Sequence, residues 1–128
     1  MNKKTITVLM VEPNEHPKVV QLATDLDSLQ KAVSIGADYQ GLIELLPLEK
    51  GICILCNEEG KLIGLPGNRR IGCDVIAGVF YIVGSDHHHN LVSLTDQQLE
   101  IYKDRFWKPE DLSAQDVEHA MFMRLFTM

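Results

Sequence analysis

No stretch of this chain approaches the ~18–20 consecutive apolar residues that a membrane-spanning helix needs. Its first apolar run, Ile6 to Val11, is closed by Glu12 and is too short for the core of a secretory leader, despite Lys3 and Lys4 before it. Cysteine is scarce: Cys53, Cys56 and Cys73 are an odd set, and without a secretion signal free thiols are the expectation. These absences point to a protein of the cytoplasm. Positive charge is also short, with 12 Lys and Arg against 18 Asp and Glu and a net charge of −6. That balance argues against a nucleic-acid binder, which presents a basic face to phosphates. The acidity is too thin for a mimic of DNA and chiefly favours solubility. There is no Gly-x-Ser-x-Gly, no phosphate-binding P-loop, no Gly-x-Gly-x-x-Gly and no His-Glu-x-x-His. An enzyme is therefore not expected, and nothing asks for a cofactor.

What remains is enough for one domain. The 128 residues can bury a core without disulfides or metal. Ile6–Val11 reads as a strand, the stretch to Pro17 as a loop, and Val19–Leu22 as a short strand. Thr24 suits a helix N-cap, with Leu26, Leu29, Ala32 and Val33 on one face and Gly36 as the stop. Tyr39–Leu46 reads as a strand ended by Pro47, and Ile52–Cys56 as a strand buried on both faces. Asn57–Gly60 reads as a hairpin turn, with Lys61–Leu65 pairing back. Val75–Val83 is the strongest strand, and Leu91–Ser93 an edge strand. Thr95 and Gln98 form a capping box before a helix buried through Leu99, Tyr102 and Phe106 and ended by Lys108-Pro109. Ser113 and Asp116 cap a final helix carrying Val117, Ala120, Met121 and Phe126. Its methionines, with Met123 and Met128, make that tail apolar and adaptable. The order predicts an α+β fold: a mostly antiparallel sheet of short strands with helices packed on one side and a C-terminal helical extension. Residues 1–106 form the domain, and 107–128 the extension, packed on it or on a partner subunit.

Four constellations could carry chemistry. Asn68-Arg69-Arg70 lies between Gly67 and Gly72, which free the backbone to present two five-donor cations to a phosphate or carboxylate. With Asn57 and Asp74 they form the expected ligand-binding set. The bland alternative is a pair of surface ion pairs, worth little each. Cys53-x-x-Cys56 lacks a second ligand pair, and positions three apart on a strand face opposite ways, so buried thiols are expected rather than zinc. Asp86-His87-His88-His89 could offer His87 and His89 to a metal, but a solvated loop is the simpler reading. Glu58-Glu59 is a solvated turn rather than an opposed catalytic pair.

Asn57-Glu58-Glu59-Gly60-Lys61, then Pro66 and Asn68-Arg69, then Asp74–Phe80, then Ser93–Gln98 form an ordered series. With Val11-Glu12-Pro13 ahead of it, this series resembles the domain-of-unknown-function family numbered 3846, small proteins of phages, plasmids and other bacterial mobile elements. The likeness runs from about Ile6 to Phe106, and the His87–His89 loop departs from it. The resemblance implies a mobile-element protein acting in bacterial cytoplasm. Two functions follow as expectations. The first is a non-enzymatic, homo-oligomeric binder of an anionic small molecule, a nucleotide-derived host defence signal, which it sequesters. The second is an interaction module that inhibits a host defence enzyme by direct contact through the apolar tail.

Overall fold

A computed structural model describes the backbone of residues 4–127 and the side chains as far as Phe122. The expected packing of Met123, Phe126 and Met128 lies outside those side chains. Among the described residues eight strands and three helices follow in the order β1 (Thr5–Val11), β2 (Lys18–Ala23), α1 (Leu26–Ala32), β3 (Ile43–Glu49), β4 (Ile52–Asn57), β5 (Gly67–Ile71), β6 (Asp74–Ala77), β7 (Phe80–Ser85), β8 (Leu91–Val92), α2 (Asp96–Arg105) and α3 (Ala114–Thr127). The main sheet runs β2-β1-β7-β4-β3, with β8 also on β7; β5 and β6 form a separate hairpin. Every pairing is antiparallel. The α+β class with a mostly antiparallel sheet is as the sequence led us to expect.

One detail differs: the helices cover both faces of the main sheet. Because strand side chains alternate, β1 sends Ile6 and Val8 to one face and Leu9 and Val11 to the other. β7 does the same with Tyr81 and Val83 against Phe80 and Ile82. On the first face α1 adds Leu29, next to Val33; on the second α2 adds Leu99 and Tyr102, next to Phe106. The central strands are thus apolar on both sides, which is why they read as unbroken runs. Cys53 and Cys56 sit on opposite faces of β4, as their spacing requires, and both are free thiols.

Several boundaries moved for physical reasons. Asp25, not Thr24, is the N-cap of α1, accepting from Ser28 N at 3.1 Å. β3 starts later than expected and runs through Pro47, opposite Cys53, because an edge strand can spare an N–H. Lys61–Leu65 does not pair back; it winds into turns, with Ile63 N on Glu59 O at 2.9 Å. The run Val75–Val83 is two strands in two sheets. Gly78, at φ +83°, breaks it, and its N–H bonds Pro66 O at 2.7 Å. The Thr95–Gln98 capping box forms with both reciprocal bonds, at 3.1 and 2.8 Å.

Candidate functional site

Arg69 and Arg70 lie on β5, not in an open loop. Strand alternation sends them opposite ways. Arg69 is 1% exposed. Its guanidinium donates to Phe106 O from Nε and Nη2 at 3.1 and 3.0 Å, to Glu15 O at 2.7 Å, and to Asn68 Oδ1 at 2.8 Å. Phe106 is the C-cap of α2, so a cation sits on the negative end of that helix. Desolvation pulls the Arg69 pKa below its ordinary value, and nearby Glu110 partly offsets this. Asn68 is equally occupied, donating to Val11 O at 2.8 Å and Gly78 O at 2.9 Å. Together the two side chains fasten the β5–β6 hairpin to β1, to the β1–β2 loop and to α2.

Arg70 faces outward and organises the C-terminal segment. Its N–H bonds Glu110 Oε2 at 2.9 Å, and its guanidinium lies 3.5 Å from Asp116 Oδ1. Asp116 is in turn held by Ser113 N and Oγ, both at 2.9 Å, and those hydrogen bonds, with Arg70 and His119 adding to them, lower its pKa. The remaining expected ligands lie elsewhere. Asn57 is buried, donating to Val33 O at 3.3 Å and accepting from Glu59 N at 2.9 Å. Asp74 pairs with Lys61 at 2.5 Å. Asn57 and Asp74 share a small cleft with Glu44, Glu58 and Lys61, of about 20 Å³, enough for a single water. The five expected residues therefore do not converge on one exposed anion cradle.

His87 and His89 are exposed. The loop around them is folded by Asp86, whose Oδ1 accepts from His88 N and Asn90 N at 2.9 Å each. The bond from Asn90 N is the largest cause of a lowered Asp86 pKa. Among the described residues no three His, Cys, Asp or Glu side chains gather closely enough to hold a metal ion.

An apolar opening lies beside the last helix, where the sequence had marked only an apolar tail. α3 packs on the hairpin through Val117 and Ala120, against Leu65, Val75 and Ala77. Close approach depends on Gly67, where a Cβ would stand 2.8 Å from Leu112 Cβ and 2.9 Å from Val117 Cγ2. Beside this contact runs a groove of about 290 Å³ lined by Leu62, Pro66, Leu112, Val117 and Met121, with Lys61 and Glu118 also lining it. Leu62 is 70% exposed, and Phe122, on the same helix, is 56% exposed. The apolar tail announced one wall; the turns of 61–65, read as a returning strand, hid the other.

Fold and site together describe a small α+β protein with a stapled hairpin and an apolar groove under its last helix. Residues 6–107 match the family described as Domain of unknown function (DUF3846), and the chain belongs to it. α3 lies beyond the matched residues. No curated protein and no solved structure matches the chain.

Proposed function

We propose that this protein is a non-enzymatic interaction module that docks a protein partner in the groove between residues 61–67 and α3. One observation carries the reading: an apolar groove of about 290 Å³ lined by Leu62, which is 70% exposed, and by Leu112, Val117 and Met121. Interfaces of this kind seat one or two large apolar anchors in a pocket and surround them with polar residues. Lys61 and Glu118 supply that polar rim. The setting implied by the sequence resemblance, a phage or other mobile element in bacterial cytoplasm, makes a host defence enzyme the partner this module would block. Sequestration of an anionic nucleotide-like signal has less support, since Arg69 spends its donors on internal carbonyls.

The experiment is capture from host lysate with the wild-type chain and with Leu62→Asp and Glu118→Lys, two exposed residues that line the groove. A defined host protein held by the wild type and lost by both variants supports the reading. The same protein retained by both variants moves the interface elsewhere. A thermal-shift panel of nucleotides runs alongside, because a ligand at a hundred times its Kd stabilises by about 2.7 kcal/mol. A shift there, with no host protein captured, would restore the small-ligand reading.

A further inference from the structure

Along its main path the sheet ends in β2 and β3, and β3 is the better defended of the two. β3 carries Pro47, a register irregularity between Pro47 and Glu49, and the charges of Glu44 and Glu49. These are devices that stop an edge from recruiting another strand. β2 has neither the proline nor the irregularity, and its one charge, Lys18, stands at its first residue. It runs Lys-Val-Val-Gln-Leu-Ala in unbroken register with β1, from Thr5 opposite Ala23 to Met10 opposite Lys18. Among the described residues no strand lies on its outer side. Val19 there is 47% exposed.

The parity of the ladder says which groups face out. Thr24 N bonds Lys4 O at 3.1 Å, so in this antiparallel register residues 22, 20 and 18 also turn their N–H and C=O inward to β1. Val19, Gln21 and Ala23 therefore turn theirs outward. We propose that this edge pairs antiparallel with the same edge of a second copy, on a two-fold axis through Gln21, giving one sheet continuous across a dimer. That register is the one that uses all three outward residues on both chains: Val19 meets Ala23 of the second copy, and Gln21 meets its counterpart. The pattern is self-complementary. Val20 falls beside Leu22 of the other chain, on the face where both already join the α1-side core. The lone charge, Lys18, faces Thr24 of the other chain, so no like charges oppose each other. An interface that pairs a patch with itself in this way closes as a dimer and adds no further copies.

Size-exclusion with light scattering tests this on the full chain. The wild type should run at twice its 14.4 kDa mass. Gln21→Pro removes an outward N–H that β1 does not use, so it should give a folded monomer. Gln21→Lys places two cations face to face and should weaken the dimer at least about tenfold, less so in high salt. Mixing Gln21→Lys with Gln21→Glu should then restore a mixed dimer, which a tagged chain reveals and which decides the matter even if the proline variant fails to fold. A wild type that stays monomeric into the millimolar range overturns the proposal. So does a dimer that the lysine variant leaves intact, or a mixture that gives no mixed species.

Discussion

Arg69 is a buried cation whose hydrogen-bond acceptors among the described residues are neutral oxygens, from Phe106, Glu15 and Asn68. Its planar fork reaches two distant segments and its own neighbour Asn68 at once, which a lysine ammonium cannot do. Arg69→Met leaves those buried acceptors without donors, and each such loss costs about 1–3 kcal/mol. We expect a total loss of about 3 kcal/mol or more in urea unfolding at unchanged m-value, with Arg69→Lys losing less. A purely ligand-binding arginine would instead leave stability level, so the measurement separates the two roles. In sequence this residue looks like a presented cation, because its flanking glycines are visible and its acceptors are not. The acceptors come from chain positions as distant as 15 and 106, and only the folded chain brings them to one point. Arg70 was legible in part: its outward direction fits the loop reading, and its partner Asp116 lies on the tail that the sequence marked as helical.

Local devices were legible and non-local ones were not. The Thr95–Gln98 box needs only residues three apart, and it forms as read. The break at Gly78 depends on a positive φ that apolar neighbours such as Val79 do not announce. It lets one apolar run serve two sheets, and Leu65 Cδ1 would lie 2.7 Å from an added Cβ. Gly78→Ala should therefore cost about 3 kcal/mol, from left-handed backbone strain plus overpacking of Leu65, read as a drop in Tm. At α3 the cap is the local device. Ser113 Oγ accepts from Asp116 N at 3.1 Å, and Ser113→Ala should cost about 1 kcal/mol. The loss should appear as faster amide exchange in α3 with the main sheet unaffected, because α3 packs on the hairpin rather than on that sheet. The groove was half legible for the same reason: its helical wall has a periodic signature, whereas its other wall is a set of turns that only close approach to α3 defines.

At the scale of the whole molecule, charge sets where the fold is stable. Asp86 and Asp116 are both held below their ordinary carboxyl values by hydrogen bonds, from Asn90 and Ser113 first. A carboxyl lowered in the folded state contributes stability that is present above its unfolded pKa, about 3.9, and is lost as pH falls through the folded value. The acid limb should therefore begin near pH ~4, and Asp116→Asn should flatten part of it. The alkaline limb has a different owner. Tyr81 lies in the α1-side core with its hydroxyl donating to Ala32 O at 3.0 Å. Burial, and secondarily the charge of Glu12, pushes its pKa up to about 12. Its phenol is raised in the folded state, so the neutral form stabilises the fold fully below the unfolded value of about 10, and that contribution is lost as pH climbs from there through about 12. A displacement of this size is worth on the order of 2–3 kcal/mol. Tyr81→Phe should lose about 1 kcal/mol at neutral pH with the Ala32 hydrogen bond, yet hold a flatter stability profile between pH ~9 and ~12. Urea midpoints across that range decide it: if wild type and Tyr81→Phe fall in parallel, Tyr81 does not govern the alkaline limb, and ionisation elsewhere does.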